Sequence, residues 1–296
     1  MKPAPFKYYA PTSLEEVLAY TDQFGYDGKI LAGGQSLIPT MNFRLSQPEV
    51  LIDINPVLEL AYIRPQEDGS VVIGAMTRAV TLERDPVIAE RIPLITETMP
   101  HIAHPQIRSR STFGGTIAHA DPAAELPAVS IALNGRFRLQ SRTSDRWVPA
   151  DDFFLGMFMT SLEPEEVLTA IEIPPMPPHG GYAFLETSRQ EGDYALVGVA
   201  ATVVVDDEGQ CEDARLVFMS VEDRPVPAVQ AVDVLKGQSP SPELFAAAAE
   251  AAQREIDPTT DIHASADFRR HLVGVLSRRV LQTAFDRALD KGAQGE

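Results

Sequence analysis

Apolar residues recur at three- and four-residue intervals from Leu14, with Val17, Leu18 and Thr21 completing one face. That period predicts an amphipathic helix. Ser13 followed by Glu16 fits a capping box at its start, and Gly25 is placed to stop it. Short apolar runs at 29–32 and 50–54 read as buried strands. A helical turn at 37–45 lies between them, which Ser36 is placed to cap, so roughly the first 55 residues form a β-α-β unit.

Two further strands are expected at 60–64 and 70–75, turning through Gln66-Glu67-Asp68-Gly69. Helical spacing follows over 81–99, interrupted by Pro86 and Pro93. Another helix runs from about Ala123 to Asn134-Gly135, and strands are expected at 136–140 and 167–173. The stretch Pro174-Pro175-Met176-Pro177-Pro178-His179-Gly180-Gly181 disfavours helix and sheet alike and reads as a linker. Three antiparallel strands (182–187, 194–206, 214–221) and three helices complete the pattern. The last helix, at 265–290, carries Phe268, Leu272, Val275, Leu276, Val280 and Ala284 on one stripe.

Composition narrows the function classes. With 296 residues, 44% of them hydrophobic, the chain can bury one large or two to three small cores. A formal charge of −17 argues against nucleic acid and anionic membranes as partners, and requires any bound phosphate to be held by amides and hydroxyls. No membrane span or leader-like segment is visible, so a soluble cytoplasmic protein is expected. Cys211 is the only cysteine, which excludes an intrachain disulfide or iron–sulfur cluster; its Gly209-Gln210-Cys211-Glu212 context reads as a surface or edge turn.

The chemistry-bearing features are two glycine-rich turns, Leu31-Ala32-Gly33-Gly34-Gln35-Ser36 and Thr112-Phe113-Gly114-Gly115-Thr116-Ile117. Paired glycines let backbone approach a bulky anion, and successive amides form an anion-binding nest. Two such turns about eighty residues apart suggest a diphosphate held from two sides, hence a dinucleotide. Each alone is equally a strand-to-helix turn that needs glycine for shape. Asp121 and Glu125 stand near a helix start, as caps or as acceptors for ribose or ring N–H groups. His119 is a packed histidine or a flavin attachment point, and Gln106, Arg108 and Arg110 steady phosphate or make surface ion pairs. Tyr194 packs on a planar ring or on the protein's own edge. Rossmann, Walker A, H-E-x-x-H and G-x-S-x-G signatures are all missing, and no acid, base or nucleophile stands out.

Residues 32–39, Ile73-Gly74-Ala75, 112–122 and Gly192-Asp193-Tyr194-Ala195 occur in an order that resembles the medium, FAD-binding subunits of molybdenum hydroxylases. This group includes carbon monoxide dehydrogenase medium subunits and xanthine dehydrogenase FAD domains. The resemblance implies an α+β fold: an FAD-binding domain of the p-cresol methylhydroxylase/vanillyl-alcohol oxidase type over 1–176, in subdomains of about 1–55 and 56–176. A C-terminal domain over 177–296, with a three-stranded antiparallel sheet and helices, would follow.

The resemblance also implies that residues 32–36 and 112–116 hold the FAD diphosphate, with Ile102 and Leu168 flanking the flavin or adenine. Glu125 stands where xanthine dehydrogenases have an acidic flavin ligand, and Tyr194 near the isoalloxazine. The full expected FAD set is Leu31, Ala32, Gly33, Gly34, Gln35, Ser36, Leu37, Ile102, Ala103, Thr112, Gly114, Gly115, Thr116, Ala118, His119, Asp121, Glu125, Leu168, Arg189 and Tyr194. One departure stands out. Members of the family often carry lysine in the strand before the Gly-Asp turn, where this chain has Phe184-Leu185-Glu186-Thr187-Ser188-Arg189, leaving Arg189 as the one cation.

The implied function is electron transfer. Electrons would come from a small [2Fe-2S] subunit, itself fed by a large molybdenum-cofactor subunit in a dimer of heterotrimers, and would pass through FAD to an external acceptor. A stand-alone flavin oxidase or dehydrogenase and a non-enzymatic assembly subunit are the rival readings.

Overall fold

The computed structural model describes residues 2–294. Strands β1 (Lys7–Tyr9), β2 (Gly28–Leu31) and β3 (Val50–Asp53) form a parallel sheet in the order β1-β3-β2. Helix α1 (Leu14–Phe24) connects the first two strands. The Ser13 hydroxyl accepts from the Glu16 amide at 3.3 Å. Glu16 returns its carboxylate to the Thr12 amide at 2.7 Å, one residue earlier than in a standard capping box. Gly25 ends the helix at φ +46°. Val17 meets Val50 and Ile52 in a small core, and Tyr9, Tyr20 and Phe24 stack beside it. Strand β1 was not expected; three partly exposed residues give no alternation to read.

Helix α2 (Leu37–Asn42) follows the first glycine segment, and no side chain caps it: Ser36 does not play that part. The second sheet is antiparallel, in the order β4 (Ile63–Pro65), β5 (Val71–Gly74), β10 (Val167–Ile173), β6 (Arg136–Gln140) and β7 (Asp145–Pro149). The strand expected at 60–64 begins three residues later, because Leu58–Leu60 coil into a 3-10 turn that buries Leu60. Pro86 and Pro93 act as helix starts, dividing the helical stretch into α3 (Ala79–Arg84), α4 (Pro86–Arg91) and α5 (Pro93–Thr98).

A short helix α6 (Pro105–Arg108) precedes α7 (Phe113–His119), which corrects the expectation of a second glycine turn. Thr112 caps α7 through its hydroxyl, and Gly114 and Gly115 sit in its first turn. Helix α8 (Glu125–Ala132) is buried along its length. The chain then passes through β6, β7, α9 (Ala150–Phe153) and a hairpin of β8 (Phe154–Gly156) and β9 (Met159–Thr160) that the sequence pattern did not signal.

The C-terminal sheet has four strands, not three: β11 (Gly180–Ser188), β12 (Ala195–Val205), β13 (Cys211–Met219) and a two-residue edge, β14 (Val226–Pro227). The proline-rich stretch is shorter than expected, since Gly180 and Gly181 already pair in β11. One face of this sheet shares a core with α8 through Phe184, Ala200, Val217 and Met219. The other packs on α10 (Val229–Leu235), α11 (Pro242–Glu255) and α12 (Ala266–Gln294). Cys211 opens β13 and is buried, correcting its reading as a surface turn; burial pushes its thiol up to about 11.

Buried Arg269 on α12 ties this region together. Its guanidinium donates to the carbonyls of Leu196 (2.5 Å) and Ser220 (2.7 Å) and to Asp261 (2.8 Å). Arg269→Leu removes this donor from the buried Leu196 carbonyl and the part-buried Ser220 carbonyl, so a loss of about 3 kcal/mol in unfolding free energy is expected from urea denaturation.

Candidate functional site

The two glycine segments, eighty residues apart in the chain, touch. A Cβ on Gly33 would lie 2.5 Å from the Arg110 carbonyl oxygen and 2.7 Å from the Ser111 Cα. A Cβ on Gly115 would lie 3.5 Å from that of Ala32. Gly33 is therefore required by the protein's own backbone. Bulk there disturbs the junction of the two halves of the domain, so a side chain such as valine is not tolerated by a folded chain with only its ligand lost. Behind the junction, Asn55 donates to the Ala32 carbonyl at 2.8 Å, and Arg78 reaches Asn55 at 2.6 Å and the Arg110 carbonyl.

The amides differ between the segments. Those of Gly33, Gly34, Gln35 and Ser36 donate to no other group among the described residues, and Gly34 holds the loop open at φ +74°. Those of Phe113, Gly114, Gly115 and Thr116 are taken by Thr77, Ala75 and Thr112. The first segment is thus an open amide nest. The second contributes its half-exposed surface at Gly115 and Thr116 and the close packing that glycine permits at 114, where a Cβ would be 2.8 Å from the Ala75 carbonyl. Leu31 and Leu37, both half-buried, border the nest.

Past α7 the remaining predicted residues gather. Ala118 is exposed, and His119 leans on Phe158 at 4.9 Å between ring centres; burial lowers its pKa. Phe158 is the tip of the β8–β9 hairpin, with φ 57° and an amide bonded to the Ala120 carbonyl. Asp121 caps the turn ahead of α8 by accepting from the Ala123 amide at 2.9 Å. Glu125 opens α8, its carboxyl bonded to its own backbone amide. It is 7% exposed, and burial, reinforced by the charge of Glu186, pushes its pKa up to about 8.

Ile102 and Ala103 are half-buried on the loop before α6, Ala103 at φ 44°. That loop is held by Arg108, which donates to both their carbonyls and pairs with Glu83 at 3.0 Å. Arg108 is spent on structure and leaves nothing for phosphate. The loop is met by the 190–194 turn: a Cβ on Gly192 would lie 2.6 Å from the His104 ring nitrogen Nδ1 and 3.1 Å from the Ala103 carbonyl. Tyr194, 71% exposed, stands just before β12 rather than in it. Packing against its inner face, with the charges of Asp121 and Glu125, holds its hydroxyl above the ordinary pKa.

Leu168 is buried within β10, and Arg189 is exposed without an ion pair among the described residues. Sequence reasoning missed His101 and Glu186, an ion pair at 3.6 Å facing Glu125; neither stands in a local motif. A cavity of about 330 Å³ adjoins the Asn55–Arg78 clamp and contains none of the predicted site residues. Neither a metal-binding cluster nor a helix long and apolar enough to cross a membrane occurs among the described residues.

Glu125 has a consequence for stability. A carboxyl whose folded pKa exceeds its unfolded value favours folding in acid. Its contribution is whole below about 4.5 and is lost as pH rises to about 8. The native chain should lose stability across that window relative to Glu125→Gln, as read from urea midpoints at successive pH values; a pH-independent difference refutes the protonated carboxyl.

Comparison with known proteins accounts for this arrangement. Residues 4–176 match the family model of the FAD binding domain in molybdopterin dehydrogenase, and residues 182–284 match that of the CO dehydrogenase flavoprotein C-terminal domain. The chain is 40% identical to the 6-hydroxypseudooxynicotine dehydrogenase complex subunit alpha of Paenarthrobacter nicotinovorans over 97% of both chains. It is also 40% identical to the carbon monoxide dehydrogenase medium chain of Hydrogenophaga pseudoflava, over 97% of this chain and 99% of that one. The solved carbon monoxide dehydrogenase of Hydrogenophaga pseudoflava lacking the Mo-pyranopterin moiety superposes with a TM-score of 0.94 at 40% identity, covering 97% of this chain and 99% of the other. Quinoline 2-oxidoreductase from Pseudomonas putida 86 gives a TM-score of 0.92 at 38% identity, with the same coverage. With its open amide nest and both domain types in place, the chain belongs to the FAD-binding flavoprotein family of the molybdopterin dehydrogenases.

Proposed function

We propose that this chain is the FAD-carrying electron-transfer subunit of a molybdenum hydroxylase. It would take electrons from the iron–sulfur clusters of a small partner and deliver them to an external acceptor. The observation that carries the reading is the open amide nest at Gly33–Ser36, pressed against the second glycine segment. FAD supplies the redox chemistry, accepting electrons singly and giving up one or two.

The protein's part is to bind and orient. Four unpaired amides offer donors to a diphosphate without calling on basic side chains, which suits a chain of charge −17. Thr112, Gly114, Gly115 and Thr116 form the facing wall. Ile102, Ala103, His119, Asp121, Glu125, Leu168, Arg189 and Tyr194 complete the proposed set around the ring. The division at residues 176 and 177 is supported by separate family matches on either side; subdomains of the p-cresol methylhydroxylase/vanillyl-alcohol oxidase type within the first domain are part of the same proposal. A large molybdenum-cofactor subunit and a small [2Fe-2S] subunit are the expected partners, in a dimer of heterotrimers. The relatives' names span nicotine derivatives, carbon monoxide and caffeine. The substrate is therefore assigned to the partner that would hold molybdenum.

Gly34→Ala tests the nest. A methyl group at φ +74° strains the loop by about 1–2 kcal/mol and lets it relax away from the ligand. FAD affinity, followed by quenching of flavin fluorescence, should fall about tenfold while the fold persists. Unchanged affinity removes these amides from the diphosphate. A full-length chain that takes up no FAD overturns the functional reading itself.

A further inference from the structure

The β8–β9 hairpin ends in Leu155-Gly156-Met157-Phe158-Met159, a run without a charge in a chain that is 23% charged. Its root is locked in the core. Phe153 and Phe154 are buried with Phe137, their ring centres 4.8 and 5.9 Å from that ring. Its tip is bare, with Leu155, Met157, Phe158 and Met159 from 54% to 60% exposed. Nor is the tip loose. Phe158 is held at φ 57°, a strained value for its type, by an amide that donates to the Ala120 carbonyl at 3.1 Å. Apolar side chains gathered on one projecting tip are costly in water unless another surface covers them. Methionine and phenylalanine, free of charge at the centre, are also the composition of an interface core.

Place and charge together say what covers it. Phe158 lies against His119, and the neighbouring 220–224 turn is bonded to the Pro122 carbonyl through the Ser220 amide at 2.9 Å. A protein seated on the tip therefore also reaches the residues assigned to the flavin ring. An electron donor to that ring has to come this close; a subunit that passes its electrons on through the donor does not. The border of the tip is acidic. A Cβ on Gly156 would stand 3.4 Å from the carboxylate of exposed Asp223, and Glu222 accepts from the amide of exposed Asp257 at 3.0 Å. Arg224, the cation of this turn, donates to the Phe154 carbonyl at 3.4 Å. Such a border, on a chain of charge −17, suits a partner with basic residues around an apolar recess and repels a second copy of this chain.

We propose that the hairpin tip at 155–159 is the docking surface for the small iron–sulfur subunit; this rests on the electron-transfer reading above. Met157 and Phe158 enter an apolar recess on that partner, and Asp223 and Asp257 face basic residues on its border. Because the tip is anchored at its root by Phe153 and Phe154 and at Phe158 by Ala120, the docked partner is held in a fixed position beside the ring.

The experiment is made on the complex isolated through a tag on this chain. With p-benzoylphenylalanine in place of Met157, irradiation should cross-link the chain to the iron–sulfur subunit. Met157→Glu puts a charge into the recess and should lower iron per FAD by about tenfold or more. FAD per chain should stay unchanged, because the side chain is exposed. Met159→Glu should behave in the same way. A cross-link only to the molybdenum subunit or to a second copy of this chain, or no cross-link at all, overturns the proposal. So does a native ratio of iron to FAD in both glutamate variants. A native chain that carries FAD but brings down neither iron nor molybdenum fails instead at the electron-transfer reading, before any variant is made.

Discussion

The contact on which the site depends is backbone against backbone, where Gly33 lies on Arg110 and Ser111 with no room for a side chain. It joins a parallel three-stranded sheet to an antiparallel five-stranded one and sets the first glycine segment beside the second. The Asp53–Asn55–Arg78 chain of hydrogen bonds reinforces that junction from behind. Because the contact is steric, it fixes position more firmly than a network of flexible side chains could. The amides of Gly33–Ser36 are left without partners among the described residues, between a strand and a helix that are already committed.

Much of this was legible beforehand. Helix α1, strands β2, β3, β5, β6 and β10 and the helical C-terminus follow from apolar spacing, and Pro86 and Pro93 mark breaks that periodicity alone blurs. Several short, partly exposed strands were not legible. β1, β7 and the β8–β9 hairpin carry no run of buried apolar positions to read, and β14 exists only because β13 offers an edge. The second glycine segment was misread for a physical reason. Gly-Gly reads as a turn, but Thr112 as N-cap and the close approach of Ala75 turn it into a helix start.

The site was legible as motifs and illegible as electrostatics. Adjacent glycines announce themselves locally, whereas His101, Glu125 and Glu186 become neighbours only through the packing of α5, α8 and β11. Glu186 shows the limit. In the sequence it is simply one residue of the strand before the Gly-Asp turn; in the fold it is a buried acid with an oxygen unmatched. Arg108 is the converse case, a cation suited to phosphate on paper and wholly occupied by Glu83 and two carbonyls in space.

Strand β12 is covered on both faces, with Ala200 turned to the flavoprotein core and Val199 and Ala201 to the helical layer. Its backbone is therefore the common wall of two compartments that the sequence appears to separate with prolines. A wall shared in this way couples their fates: neither compartment melts without exposing the other, so the chain behaves as one cooperative unit despite its two family signatures. In the electron-transfer role proposed above, that rigidity would keep the spacing of donor and acceptor from drifting with thermal motion. Insertions that diversify such a subunit are accordingly expected at its rim, in hairpins and termini, and not along the strand that both halves inherit.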